Sequence, residues 1–288
     1  MKKILVPTDF SEQAGFALDL ALGIARKNDA EIILLNVLDI PGGAAFTAGN
    51  TGFDMGTAPG YSAQMDHVYV VQLHDKTKER LEKIVREERF KGVNIRYKLQ
   101  IGNPYSSIAE EIAENDVNLV VMGTTGASGV RELLIGSNTE KVVRLAKCPV
   151  LTIKEKVDVD SIKDIAFASD FSDRQQNVAT ELKKLQKLFN ARLHLVKINT
   201  PSAFETTRQI RKDIEDFAER YQLENYTVNI YCDKLEEEGI IYFADDIDAD
   251  LIALATHGRS GIMHLLSGSI AEDVVNHSRR AVWTYRFK

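Results

Sequence analysis

The 288-residue sequence is poor in cysteine and contains no long uninterrupted apolar segment. Its two cysteines, Cys148 and Cys232, form no Cys-x-x-Cys pair and have no histidine close by, so neither a disulfide framework nor a zinc site is indicated. A membrane-spanning helix needs about 20 consecutive apolar residues, and no stretch approaches that length. We therefore expect a protein of the reducing cytoplasm that has no membrane partner.

A surplus of basic residues is also missing. The chain has 36 Lys and Arg against 42 Asp and Glu, for a formal net charge of −6. Nucleic-acid binding depends on cations that meet phosphates, so this balance disfavours a nucleic-acid partner. The N-terminal stretch MKKILVPTDF lacks the apolar core and cleavage site of a signal peptide, and we expect it to form a strand.

The chain contains two copies of one unit. KKILVPTDFSEQ (2–13) matches KDIAFASDFSDR (163–174), and residues 118–143 match residues 250–275. A polar segment, 154–162, links the copies. We therefore predict two tandem domains, 1–154 and 163–288.

Each copy alternates apolar runs with helical patterns, which favours a doubly wound α/β fold. We expect a five-stranded, mainly parallel sheet flanked by helices in each domain, because the runs are apolar on both faces. Predicted strands in the first copy are 2–9, 31–39, 94–101, 118–123 and 149–154, and predicted helices are 12–28, 68–90, 105–116 and 137–147. Predicted strands in the second copy lie near 163–170, 191–199, 226–232, 250–256 and 281–287.

The first copy carries a glycine-rich insert at 41–66. Its glycines and prolines disfavour a helix or a strand. One interpretation is a tolerated surface loop. The other is a lid, because the insert leaves the sheet at the carboxyl end of a strand, where ligands of such sheets bind.

Three glycines follow the fourth strand at an unusual spacing: Gly123, Gly126 and Gly136, with Ser137 directly after the last. Glycine at the strand end permits a close ligand approach and positive φ. Ser137 opens a helix, whose N-terminus attracts anions. No lysine precedes Ser137, so a Walker loop is excluded, and the Rossmann glycine pattern is absent after the first strand. The loop is therefore interpreted as a phosphate cradle.

An aspartate ends the first strand of each unit, at Asp9 and at Asp170. Each carboxylate could accept hydrogen bonds from ribose hydroxyls or an adenine amino group. Each could equally cap the helix that follows. Ser11 stands where the first N-cap belongs.

The pattern Gly-x2-Gly-x9-Gly-Ser after VVMG, with VPTDFS opening the unit, resembles the universal stress protein family. Apart from 41–66, the two copies that show this resemblance cover nearly the whole chain, so the chain resembles the tandem form of the family. The resemblance implies an adenine nucleotide alpha-hydrolase-like fold and, as in many members, ATP as ligand. By position it implies the following nucleotide-binding residues: Pro7, Thr8, Asp9, Val37, Met122, Gly123, Gly126, Gly136, Ser137 and Asn138.

The second copy departs from this pattern. Ala255 stands at the position of Gly123, and Ala168 at that of Pro7. A second site would use the counterparts that remain: Asp170, Gly258, Gly268 and Ser269. The second half is also more acidic, and its acidic run at 233–250 is interpreted as a solvated helix face. We predict weaker or absent nucleotide binding there.

The histidines do not indicate a metal site. His257 and His264 lie in the second glycine loop without a third ligand, so we expect no metal there. His67 and His74 are spaced to share one helical face, which we expect to be solvated.

Three functions remain open. The first is a stress-response protein that binds ATP, with or without Mg²⁺, in the first domain and acts as a nucleotide-dependent regulator or signalling module toward an unknown protein partner. The second is a slow ATPase or phosphotransfer enzyme. The absence of a Walker lysine and of a general base beside the loop argues against efficient catalysis, and we assign no catalytic residue. The third is a nucleotide-independent adaptor.

The last strands of the two copies are apolar and would be exposed edges if left unpaired. We expect 148–154 and 281–288 to pair with each other in a pseudo-dimer, or with a second chain in a homodimer.

Overall fold

The computed structural model describes residues 1–39, 62–124, 136–172, 176–257 and 268–287. Strands and helices alternate within each repeat, as the apolar patterns predict. The strands are β1 (Lys3–Pro7), β2 (Glu31–Leu38), β3 (Ile95–Ile101), β4 (Leu119–Gly123), β5 (Val150–Ile153), β6 (Asp164–Ala168), β7 (Arg192–Asn199), β8 (Tyr226–Cys232), β9 (Leu251–His257) and β10 (Ala281–Phe287). The helices are α1 (Glu12–Asn28), α2 (Ser62–Val85), α3 (Pro104–Glu114), α4 (Ser137–Leu145), α5 (Gln176–Phe189), α6 (Thr207–Arg220), α7 (Glu236–Asp246) and α8 (Gly268–His277).

The ten strands form one sheet in the order β3-β2-β1-β4-β5-β10-β9-β6-β7-β8. Each repeat contributes five parallel strands in the same internal order, so the doubly wound α/β class is confirmed. In each repeat the chain order reverses beside the first strand, between β1 and β4 and between β6 and β9. Ligands of such sheets bind at this switch point, outside the carboxyl ends of the strands.

The two repeats meet through β5 and β10, the one antiparallel pair in the described sheet. Thr152 Oγ1 donates to Val282 O at 3.2 Å, and Thr284 Oγ1 donates to Val150 O at 3.5 Å. These two bonds join equivalent positions of the repeats in both directions, as a two-fold axis between the repeats would require. The edge strands predicted to need a partner therefore cover each other.

Helices pack on both faces of the sheet. Buried residues of α1, α2, α5 and α6 form one core layer, which includes Leu81, Leu182 and Phe217. Buried residues of α3, α4, α7 and α8 form the other layer, which includes Val142 and Val274. Both faces of each central strand are thus apolar, which explains why the strands read as continuous Val, Ile and Leu.

The prediction that 41–66 forms no helix is wrong for its last residues. Helix α2 begins at Ser62, ahead of the predicted start at 68, and ends at Val85, before a short 3-10 turn at Glu88–Phe90. The glycines and prolines of the insert all precede Ser62, so nothing after Gly60 interrupts helical hydrogen bonding. The rest of the insert, 41–61, lies outside the described residues, so the choice between loop and lid stays open.

None of the described helices combines the length and hydrophobicity of a membrane span. Within the described ranges there is also no group of three or more side chains suited to hold a metal ion. The His74 side chain is exposed and contacts Asp75. The side chains of His67 and His257, and all of His264, lie outside the described residues.

Candidate functional site

A cavity of about 400 Å³ opens at the switch point of the first repeat, between the carboxyl ends of β1 and β4. A volume of this size is within the usual range for small-molecule sites, roughly 300–1,000 Å³. Its lining comes from the β1–α1 turn, β2, β4 and the first turns of α3 and α4. The lining residues are Pro7, Thr8, Asp9, Ser11, Ala14, Leu35, Val37, Pro104, Ile108, Met122, Gly123, Gly136, Ser137, Asn138 and Thr139.

The β1–α1 turn places Asp9 at the rim of this cavity. Asp9 Oδ1 accepts the Ser11 N–H at 2.9 Å, and Thr8 Oγ1 accepts the Phe10 N–H at 3.1 Å. Phe10 adopts a positive φ of 64°, which these side-chain bonds offset, while Arg80 lies 4.1 Å from the centre of its ring. The turn is therefore fixed by its own side chains.

Ser11, and not Asp9, caps α1. Ser11 Oγ accepts the Ala14 N–H at 3.2 Å, as the sequence predicts. The interpretation of Asp9 as the helix cap is therefore wrong, because its Oδ1 bonds one residue before the helix begins. Asp170 repeats the arrangement: its Oδ1 accepts the Ser172 N–H at 3.1 Å, and Phe171 has a φ of 55°. The two aspartates thus have matched local roles.

Gly123 is required by helix packing. A Cβ at this position would lie 2.7 Å from Gln13 Cβ and 2.9 Å from the Gln13 carbonyl carbon in the first turn of α1. Gly123 does not use the positive φ that glycine permits, since the described glycines with positive φ are Gly92 and Gly102. Gly123 therefore lets α1 approach the end of β4 closely.

Helix α4 presents its N-terminus to the cavity. Gly136 is its N-cap and provides no side-chain cap for the first-turn N–H groups. Gly136 N donates to Thr124 O at 2.7 Å, and Thr139 Oγ1 donates to Gly123 O at 3.1 Å, so the helix start is tied to the end of β4. A helix N-terminus carries a partial positive charge, which suits an anion.

The opposite wall is apolar. Leu35 and Val37 of β2, Met122 of β4 and Ile108 of α3 line it, together with Pro104 at the first position of α3. Asn103 caps α3 by accepting the Ser106 N–H at 3.1 Å, which holds Pro104 at the rim. Among the described lining residues Asp9 carries the only charge, so the cavity combines an apolar slot, one carboxylate and one helix N-terminus.

Nearly all of the predicted site residues of the first repeat line this one cavity. Gly126 is the exception, because it lies outside the described residues, as does Gly258 of the second repeat. Gly268 is the first residue of α8, but the side chain of Ser269 is not described. The sequence prediction of the site did not include Ser11, Ala14, Leu35, Pro104 and Ile108. Of these, Pro104 had a usable signal, because Asn103-Pro104 marks a helix start directly after a predicted strand.

Comparison with known proteins identifies the family. The model described as the Universal stress protein family matches residues 1–154 and again residues 161–286. The chain belongs to the universal stress protein family. A universal stress protein of Methanocaldococcus jannaschii is 32% identical over 155 residues, which cover 54% of this chain and 82% of that protein.

Solved structures of the family share the complete architecture. A universal stress protein from Archaeoglobus fulgidus superposes with a TM-score of 0.72 at 23% identity, covering 99% of this chain and 98% of the other. A Pseudomonas aeruginosa protein superposes with a TM-score of 0.65 at 17% identity, covering 99% and 93%. At these identities the similarity supports the fold and leaves the ligand to be argued from the site.

Proposed function

We propose that this universal stress protein binds ATP in the cavity of its first repeat and acts as a nucleotide-dependent regulator of the stress response. One observation carries the proposal. An apolar slot, a fixed carboxylate and a helix N-terminus without a side-chain cap converge at the topological switch point, where nucleotides bind in doubly wound sheets.

The chemistry of the lining fits the three parts of ATP. Val37, Met122 and Ile108 offer an apolar surface for the adenine ring. Asp9 would accept hydrogen bonds from ribose hydroxyls. Ser137 and Asn138, with the first-turn N–H groups of α4, would donate to phosphate oxygens. Mg²⁺, if it accompanies ATP, would be held mainly by the phosphates.

The same lining supports binding more than turnover. Phosphoryl-transfer enzymes use cationic side chains and bound metal to stabilise the charge of the transferred group. The described lining has no lysine or arginine to stabilise such charge. We therefore favour a regulator that signals its nucleotide state to a protein partner over an ATPase.

We also propose that the tandem chain is a pseudo-dimer. The pairing of β5 with β10, with its two reciprocal threonine bonds, supports this arrangement. Because each of these edges is occupied within the chain, a homodimer would have to use another surface.

The test uses the matched aspartates. Asp9→Ala and Asp170→Ala remove the same turn bond from equivalent positions, so any general structural cost is shared. Titration calorimetry with ATP should show affinity lost by about 1–3 kcal/mol in Asp9→Ala, the range for a hydrogen bond involving a charged group. Asp170→Ala should bind like the wild type.

A second variant, Gly136→Val, adds bulk at the cavity rim and should abolish binding. Wild-type affinity in both Asp9→Ala and Gly136→Val would overturn the proposed function. The nucleotide-independent adaptor would then be the better hypothesis.

A further inference from the structure

The second repeat differs from the first at the first residue of one helix. Helices α3 and α7 have the same length and the same place in their repeats, and they begin at Pro104 and Glu236. Pro104 lines the cavity of the first repeat. Glu236 therefore puts a carboxylate at the rim position where the first repeat has an uncharged ring.

The surroundings of Glu236 do not stabilise its charge. Its Oε2 atom is buried and accepts no hydrogen bond from the described residues. Burial, then the charge of Glu237, then that of Asp170, raise its pKa to about 7. The contribution of Asp170 is informative, because Asp170 is the counterpart of Asp9. Glu236 and Asp170 stand at the positions of Pro104 and Asp9, which line one cavity in the first repeat. Two carboxylates therefore belong to a rim that has one in the first repeat.

A favourable helix-capping role does not account for this placement. Acidic residues in a first turn do complement the helix N-terminus. Glu237 and Glu238 fill the same turn, however, and Glu238 is exposed, so the helix has acidic residues there without a buried carboxylate. The specific feature is the buried Oε2 atom of the half-buried Glu236, which has no hydrogen-bond donor among the described residues.

Ala255 is a weaker explanation than Glu236 for a loss of nucleotide binding in the second repeat. Its side chain is fully buried and belongs to the core layer that contains Phe171 and Val178 of the α5 side. Its counterpart, Gly123, is restricted by α1 and not by the cavity. The extra methyl of Ala255 therefore lies in the helix-packing layer.

We propose that Glu236 is the specificity-determining residue that excludes nucleoside triphosphates from the second repeat. The proposal rests on the proposed function of the first repeat. Its carboxylate, together with that of Asp170, repels the phosphate groups that the start of α8 would otherwise receive. Because Glu236 is half-buried, water screens this repulsion less than it would at a fully exposed position.

The test is the number of ATP molecules bound per chain at pH 8, where Glu236 is ionised. Wild type should bind one. Glu236→Gln removes the charge with little change in shape, and Glu236→Pro installs the residue of the first repeat. Both should bind a second ATP, with at least a tenfold gain in affinity at the second site. Glu238→Gln makes the same charge change on an exposed position of the same turn and should still bind one.

The two proposals fail in different ways. One ATP in the wild type and one in both Glu236 variants would overturn the role of Glu236 and leave the first site intact. Two in the wild type would also overturn it. No ATP in the wild type, with one gained in Glu236→Gln, would refute the proposed function and support Glu236. No ATP in any variant would refute both.

Two further variants sharpen the assignment. Ala255→Gly should still bind one ATP, and a gain of a second site there would assign the exclusion to the methyl and overturn the role of Glu236. Gly136→Val combined with Glu236→Gln should bind one ATP, now in the second repeat. Loss of all binding in that double variant would contradict the proposal. Thermal melting of each variant checks that it folds.

Discussion

The two repeats have the same strand order, but different kinds of side chain pack between the edge strand and the equivalent helices α3 and α7. In the first repeat, the fully buried Glu111 of α3 accepts from Lys98 Nζ at 2.5 Å and from Asn115 Nδ2 at 2.7 Å. In the second repeat, Phe243 of α7 occupies the equivalent position and Asn229 replaces Lys98. An ionic cluster and an aromatic side chain thus fill the same place under the edge strand.

The segments that follow the second strand of each repeat differ as well. Two residues near the end of β7 hold the segment that follows it: the buried Lys197 contacts Glu205 at 2.5 Å, and Asn199 exchanges two hydrogen bonds with the Glu205 backbone. After β2, the chain continues into the glycine-rich insert, and Asn36 stands in place of Lys197. The central strands are common to both repeats, whereas the edges and the rim diverge. Function in this chain should therefore be sought in the differences at the rim.

The largest effect is expected from breaking the ionic cluster. Lys98→Met leaves Glu111 fully buried with a weaker set of partners, Asn115 and an Arg96 nitrogen at 3.8 Å. Unfolding free energy should fall by about 2–4 kcal/mol, near the cost of breaking a buried ion pair. Denaturant titration measures it. Adding Glu111→Phe introduces the residue that the second repeat has at this position, Phe243, and should recover part of the lost stability. A further loss of stability would contradict the equivalence of the two positions.

A smaller effect is expected from exchanging the packing residues at the end of the fourth strand of each repeat. Gly123→Ala pushes a methyl into Gln13 and should destabilise the protein by about 1–3 kcal/mol, the usual cost of overpacking. Ala255→Gly should cost less, about 1 kcal/mol for a small cavity. Denaturant titration of both checks the order. A Gly123→Ala variant that is fully stable but fails to bind ATP would instead favour the direct phosphate role.

A smaller loss of stability is expected from breaking the ion pair between Lys197 and Glu205. Glu205→Gln removes the carboxylate partner of the buried Lys197 while the backbone bonds to Asn199 remain. We expect a loss of about 1–2 kcal/mol, because Glu205 is partly exposed and water can replace it. Hydrogen exchange should show faster opening of residues 200–206 and no change at β2. Equally faster exchange in both repeats would contradict this, because it would show that the Lys197–Glu205 ion pair stabilises the whole chain.

The smallest effect concerns pH. Since burial raises the pKa of Glu236 to about 7, its protonated form favours the folded state. That contribution is complete below the unfolded pKa of about 4.5 and is lost as pH rises through about 7. Glu236→Gln mimics the protonated acid, so its unfolding free energy should match that of the wild type at pH 4.5. At pH 8 the variant should be more stable than the wild type, by less than about 1 kcal/mol after solvent screening. Denaturant titration at the two pH values measures the difference. Glu238→Gln should show no such pH dependence.

Much of the fold was predictable because the central strands are buried on both faces. Strand β10, in the middle of the sheet, and helix α1, which begins after the Ser11 cap, have the predicted bounds. The start of α2 was not predictable from the composition of the insert, because composition averages over a segment whose glycines and prolines all lie in its first part.

The site was predictable where a motif fixes a loop at a strand end, as at Asp9 and Gly136. The packing role of Gly123 was not, because it depends on contact with Gln13, far away in sequence. The acidic run around Glu236 was interpreted as a solvated face. Glu236 departs from that interpretation only in part: the residue is half-buried and its Oε2 atom is buried. This follows from the packing of α7 against β6 and β7, which local charge patterning does not reveal.

The central claim is that nucleotide binds at the start of α4 and not at the equivalent position of the second repeat. The most direct measurement is a crystal structure of the full chain grown with ATP and Mg²⁺. Our account predicts phosphate density against Ser137 and Asn138, adenine against Val37, and no nucleotide near Asp170 and Glu236. Nucleotide in both repeats, or bound elsewhere with the first cavity empty, would contradict it.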